Sequence, residues 1–122
     1  MQARKTRQKE IVAAVLEKAP RPLTIHEILA LGRKQLPTLG LATIYRELNR
    51  LCEGRELQTV TIPGDPLRYE QVKHHHHHFK CTKCSNVYEL EGCLKEINKL
   101  VPKGFKTMTH DITLYGLCED CA

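Results

Sequence analysis

Two Cys-x-x-Cys pairs, Cys81–Cys84 and Cys118–Cys121, constrain the fold more than any other feature of this chain. Each pair aims two sulfurs at one point, and four thiolates complete the tetrahedral shell of Zn²⁺. The chain between them must therefore fold back so that Cys118 and Cys121 meet Cys81 and Cys84. A four-cysteine site has no open position, so its role is structural: it ties the last residues to the start of a second domain. A redox role for the pairs would call for a thioredoxin-like βαβ pattern, which the sequence lacks. Cys52 and Cys93 stand alone and read as small packing residues.

Such a cross-link is needed. In 122 residues there are four Tyr, two Phe and no Trp, too few large side chains for a sizeable core in either half. Six Cys and seven His in so short a chain point to metal rather than disulfides. Met1 to Lys9 is basic and polar without an apolar stretch behind it, unlike a signal peptide. No apolar run approaches the roughly 20 residues that span a bilayer. The expectation is a cytoplasmic protein with no membrane partner, where CxxC pairs serve as metal ligands. The net charge of +5 is uneven: residues 1–72 hold 12 Lys/Arg against 8 Asp/Glu, and residues 73–122 hold 7 against 6. The surplus in the first part favours an anionic partner.

Along the chain, Ile11, Val12, Val15 and Leu16 recur at helical spacing and predict a helix over about 6–18, ended by Pro20 and Pro22. Thr24-Ile25-His26-Glu27 has the form of a capping box and opens a second helix reaching Lys34. After a turn bracketed by Pro37 and Gly40, Leu41, Ile44, Leu48 and Leu51 share one face of a third helix. Its other face carries Thr43, Tyr45, Arg46, Asn49 and Arg50, and Gly54 stops it. Leu57 to Ile62 and Leu67 to Val72 flank Pro63-Gly64-Asp65-Pro66 and read as a hairpin. Three helices and a hairpin make a winged helix-turn-helix over residues 1–72. Residues 73–122 form a second domain, with a strand over 86–90, a short helix carrying Leu94, Ile97, Leu100 and Val101, and one or two strands within 105–114.

Between the two lies the run His74 to His78, internal and adjacent to Cys81, which marks it as native rather than a tag. A strand continuing from Arg68-Tyr69-Glu70 is expected to carry it. Alternation then puts His76 and His78 on one face and His75 and His77 on the other, so one segment serves two metal sites. Imidazole and carboxylate sets suit Zn²⁺, Fe²⁺ or Mn²⁺.

Gly40-Leu41-Ala42-Thr43-Ile44-Tyr45-Arg46, the segment from His74 through Cys84 and the final CxxC together resemble the ferric uptake regulator family over almost the whole chain. The resemblance implies an α+β protein: an N-terminal winged helix-turn-helix followed by a small α/β dimerisation domain with a four-cysteine zinc site. It implies a recognition helix over 41–50, with Tyr45 meeting a base or sugar and Arg46 a phosphate or base edge. Thr6 and Gln8 resemble the family's T-x-Q-R element, with Lys9 where Arg is usual. The further N-terminal helix common in the family is not expected here, and Arg4, Lys5 and Arg7 stand where its contacts would be made.

The resemblance also assigns metal residues. A hinge sensor site takes Glu70, His76, His78 and Glu89; a further ligand, usually His, aligns with Pro22 and is absent, and His26 reads as an exposed helix residue. A second sensor site takes His75, His77, Glu96 and His110, and His74 has no assigned partner. The implied function is a metal-dependent repressor of metal homeostasis genes, iron first and zinc second. A zinc-uptake or peroxide-sensing role is the alternative within the family. The implied partners are a second copy of the chain and palindromic double-stranded DNA, with no small-molecule substrate. Two other classes compete. A zinc-ribbon metal-buffering protein would bind no operator. A metalloenzyme would need a nucleophile, general base and substrate pocket that nothing in the sequence suggests.

Overall fold

The computed structural model describes the backbone of residues 2–122 and the side chains of residues 5–122, so the Arg4 side chain lies outside the described part. The chain forms two compact units, one up to Lys73 and one from His74.

The first unit runs α1 (Gln2–Lys18), β1 (Leu23–Thr24), α2 (Ile25–Arg33), α3 (Leu41–Glu53), β2 (Leu57–Val60) and β3 (Arg68–Gln71). Ile11, Val12, Val15 and Leu16 bury one stripe of α1 against Ile28 of α2 and Ile44, Leu48 and Leu51 of α3. Leu23, Leu39, Leu57 and Tyr69 fill the rest of that core. Fully burying one such side chain stabilises by about 1.5–3 kcal/mol, so this half folds around ordinary apolar packing. The helix α1 starts earlier than the apolar spacing predicts, because its first residues are polar but not helix-breaking.

The capping box forms as expected. The Glu27 amide donates to Thr24 Oγ1 at 3.2 Å, and the Thr24 amide donates to Glu27 Oε1 at 3.0 Å. Glu27 does more than cap: its carboxylate accepts from Arg21 Nη1 at 2.9 Å and from the buried Arg68 Nη1 at 3.1 Å. Asp65, in the turn between β2 and β3, takes Arg68 Nε at 2.7 Å. One guanidinium thus ties the wing to the start of α2.

Two local details differ from expectation. The strand β1 pairs antiparallel with β3, Leu23 opposite Tyr69 and Thr24 opposite Arg68, giving a sheet of order β1-β3-β2. Two residues are too short to show alternation. Gly54 ends α3, but the left-handed residue is Arg55, with φ of 59°.

The second unit has β4 (His77–Cys81), β5 (Val87–Leu90), a 3-10 segment (Lys95–Leu100) and β6 (Thr113–Gly116). In its sheet β4 is central: β5 pairs with it antiparallel, His78 opposite Glu89, and β6 pairs with it parallel, His78 opposite Thr113. The histidine run is not one strand continuing from β3. That strand stops at Gln71, and only His77 and His78 lie in β4. The expected short helix is a 3-10 segment with no buried residue, and residues 105–114 contribute to a single strand. Apolar burial is sparse here. Val87, Cys81 and Cys118 are buried, while Leu94, Leu100, Phe105, Met108, Leu114, Tyr115 and Leu117 are all exposed.

Replacing Glu27 by Ala should lower the stability of the first unit by about 1–3 kcal/mol, through loss of the cap and of one Arg68 partner. Burial alone would raise the Glu27 pKa, but the Thr24 amide and the Arg21 and Arg68 guanidiniums outweigh it and hold it below 4.5. The stabilisation is therefore fully present above pH 4.5 and fades as pH falls through the lowered value. Urea unfolding of both proteins at pH 7 and near pH 3 checks this: the gap between them should narrow in acid.

Candidate metal centres

The sheet order of the second unit brings chemistry to both ends of β4. At its C-terminal end, Cys81 closes the strand, Cys84 sits in the turn to β5, and Cys118 and Cys121 follow β6. Because β6 runs parallel to β4, its end falls beside Cys81; Thr82 N–H donates to the Gly116 carbonyl at 2.8 Å. The four sulfurs lie within 4.8 Å of one another. All are free thiols, and the Cys84 and Cys118 sulfurs are 3.8 Å apart. A tetrahedral ion with Zn–S bonds of about 2.3 Å gives a sulfur–sulfur edge of about 3.8 Å, so the residues fit zinc.

The electrostatics of the four sulfurs point the same way. The amides of Cys84 and Cys118 each donate to Cys81 Sγ at 3.4 Å and pull its pKa down to about 6. Cys118 is lowered by the Tyr88 hydroxyl, which in turn accepts from Asn86 Nδ2 at 3.4 Å. Cys121 moves oppositely, up to about 12, because it shares a proton with Cys118 and is desolvated. Neighbouring thiols cannot all ionise without a cation to offset their charge, and a closed dication supplies that offset.

At the other end of β4 a second group gathers. His75 Nε2 lies 3.1 Å from His77 Nε2 and 3.1 Å from His110 Nε2. Cys93 Sγ lies 2.9 Å from His110 Nε2. His77 is buried, and burial followed by the nearby His75 and His110 holds it below the ordinary histidine range. Ile112 N–H donates to His77 Nδ1 at 3.2 Å. Glu96 is exposed on the 3-10 segment and does not join this group. Cys93 is exposed, not packed: Gly92, with φ of 85°, turns the chain there, and the segment that follows has no buried face. No spacing rule in the sequence marks Cys93 as a neighbour of His110.

The opposite pair of histidines also shares a location. The His76 and His78 rings are 4.8 Å apart, and His78 is the register partner of the half-buried Glu89. His76 Nδ1 lies 3.0 Å from the His74 carbonyl, so it carries the proton and donates it, which keeps the ring's lone pair on Nε2. Glu70 belongs to the first unit, buried on β3, and accepts from Gln58 Nε2 at 3.1 Å. His74 contacts the exposed Glu91 at 3.1 Å, and His26 is exposed on α2.

The remaining assigned residues lie on α3. Ile44, Leu48 and Leu51 turn into the core, and Tyr45, Arg46, Asn49 and Arg50 are exposed on the other side. Tyr45, at 48% exposure, does not serve the core. Half-buried Thr43 accepts from Arg46 Nη2 at 3.2 Å, and Arg50 pairs with the buried Glu47 through Nε at 2.8 Å.

Replacing Cys118 by Ser should abolish retention of one zinc per chain through dialysis against a strong chelator, and with it the β-sheet signal of the second unit. Metal analysis with far-UV circular dichroism tests this. Full zinc retention by the variant would refute a four-sulfur site.

Comparison with known proteins agrees with this architecture. The family model for the ferric uptake regulator family matches residues 1–115. The ferric uptake regulation protein of Bacillus subtilis is 32% identical over 118 residues, covering 90% of this chain and 78% of that protein. That of Campylobacter jejuni is 32% identical over 122 residues, covering 95% and 78%. Among solved structures, the Helicobacter pylori ferric uptake regulator superposes with a TM-score of 0.75 at 28% identity, covering 93% of this chain and 79% of that one. A zinc-bound manganese uptake regulator shares the fold, with a TM-score of 0.77 at 24% identity over 91% and 87% of the two chains. The chain belongs to the ferric uptake regulator family.

Proposed function

We propose that the protein is a metal-dependent transcriptional repressor that binds palindromic double-stranded DNA as a homodimer in the cytoplasm, with no enzymatic role. The observation that carries this reading is the division of α3. One face is locked in the core, and the other presents Tyr45, Arg46, Asn49 and Arg50 to solvent on a winged helix-turn-helix. An exposed tyrosine together with two exposed arginines suits a DNA groove: the guanidiniums reach phosphates or guanine edges, and the ring packs on sugar or base. Thr43, in contact with Arg46, helps set that guanidinium's direction.

The dimer reading is supported by the second unit, where large apolar side chains such as Leu94, Phe105, Met108 and Leu114 are exposed. So many exposed large apolar side chains in so small a unit favour a covering partner. A second copy supplies it and sets two winged helices against successive half-sites, about one helical turn apart.

The residues that the family resemblance assigns to a regulatory ion are Glu70, His76, His78 and Glu89. His76 offers Nε2 while the His74 carbonyl keeps the ring oriented. The state that gathers these ligands is the one that fits the operator, so metal and DNA each tighten the other by the same factor. Fe²⁺ is the first choice of regulatory metal, Zn²⁺ the second and Mn²⁺ the third. The relatives from B. subtilis and C. jejuni are named for ferric uptake, and the H. pylori protein is described as having three functional metal-binding sites.

Anaerobic fluorescence anisotropy with a palindromic AT-rich duplex, titrating Fe²⁺, Mn²⁺ and Zn²⁺ separately, tests the reading. One metal should promote tight binding that falls steeply with salt. Arg46→Ala should weaken it by about 1–3 kcal/mol, roughly 5–150-fold. If no metal elicits salt-sensitive, sequence-preferring binding to any operator tried, the chain is a metal-buffering protein instead.

A further inference from the structure

We infer that Cys93, not Glu96, is the fourth ligand of a centre completed by His75, His77 and His110, and that this centre takes zinc in preference to iron or manganese. The inference rests on the second unit alone and is independent of the DNA-binding reading.

Topology places the four residues together. His75 lies in the bend two residues before β4, and His77 begins the strand. The strand β5 runs antiparallel to β4, so Cys93, just after β5, returns to the end where β4 starts. The strand β6 runs parallel to β4, so His110, just before β6, arrives at the same end. All four ligand atoms fall within 4.8 Å of one another.

The contacts exceed what hydrogen bonding can satisfy. An imidazole Nε2 has a single in-plane direction, holding either a hydrogen or a lone pair, and so serves one partner well. Yet His75 Nε2 faces both His77 and His110, and His110 Nε2 faces both His75 and Cys93. Pairwise bonding leaves some of these contacts unmade. A cation among the four atoms satisfies all of them, because each lone pair then has the same target. The nitrogen spacings agree: Zn–N bonds of about 2.0–2.1 Å in a tetrahedron give nitrogen–nitrogen edges of about 3.3–3.4 Å, close to the observed 3.1 Å.

The donor set decides the metal. Three imidazoles and a thiolate form a closed four-coordinate shell for a borderline-soft ion such as zinc, whereas manganese prefers oxygen donors. A carboxylate in the fourth position would have left the choice open. Exposure of His75 and Cys93 lets the ion exchange with solvent, unlike an ion held by the buried Cys81 and Cys118. Binding at His77 Nε2 puts that ring's proton on Nδ1, so the Ile112 amide must release it. That amide is a local reporter of loading.

Cobalt spectroscopy of the full chain, with the zinc of the four-cysteine site retained and verified by mass spectrometry, tests the inference. Added Co²⁺ should give tetrahedral ligand-field bands together with sulfur-to-cobalt charge transfer, which ligands drawn only from His and Glu cannot produce. Cys93→Ser should remove the charge-transfer band and weaken zinc binding at this site by at least roughly 10–100-fold, whereas Glu96→Gln should leave both unchanged. His110→Gln, should Cys93→Ser not fold, is expected to cause the same loss. The inference is overturned if wild-type protein shows no sulfur charge transfer with the added cobalt. It is equally overturned if Cys93→Ser keeps the band and affinity, or if Glu96→Gln is the change that removes the site. Failure of operator binding would leave these outcomes untouched.

Discussion

The second unit depends on the meeting of four sulfurs at the C-terminal end of β4. A sheet of three short strands with so little apolar burial does not gain enough from packing to offset the conformational entropy of ordering its chain. The connection from β5 to β6 makes this worse, since much of it is irregular and exposed. Four ligands converging on one ion close that long excursion at its two ends. The free energy of metal binding then becomes free energy of folding. The opposed shifts of Cys81 and Cys121 express the same fact: the fold has placed thiols where they can ionise together only around a cation.

The first unit is stabilised differently. Its core is a continuous cluster from all three helices and the sheet, and its polar fastening is the Glu27–Arg68–Asp65 set. A buried guanidinium left without its carboxylates would be costly, so this set fixes how the wing sits on α2 as well as stabilising it. The consequence reaches α3, because Leu57 and Tyr69 of the wing strands pack into the same cluster as Ile44 and Leu48. The exposed residues of α3 are displayed on a helix held from two sides.

Signals that rest on strong local physics were legible in the sequence. Helical spacing in residues 11–16 and 41–51, the Thr24–Glu27 box, the wing turn at Pro63-Gly64 and the two CxxC pairs each depend on a few neighbouring residues. What could not be read depends on partners distant in the chain. The pairing of Leu23–Thr24 exists only because β3 offers an edge. The break in the histidine run arises where the second unit begins, at a place where the residues themselves are all alike. The His75 ring lies beside His77 and the His76 ring beside His78, although His74 and His75 sit in a bend and not in a strand. Cys93 and Glu96 are three apart on what spacing suggested was a helix, and the family resemblance took Glu96 as the ligand beside His110. A 3-10 segment after a left-handed Gly92 puts the sulfur there instead.

A single strand therefore separates two kinds of ligand set by its direction. The C-terminal end of β4 gathers sulfurs from turns whose backbone amides are aimed at Cys81, an arrangement suited to an ion that stays. The N-terminal end gathers imidazoles from less buried backbone, where His76 and His77 are buried and solvent reaches His75 and Cys93. That end is divided again, with the His75 ring beside His77 and the His76 ring beside His78.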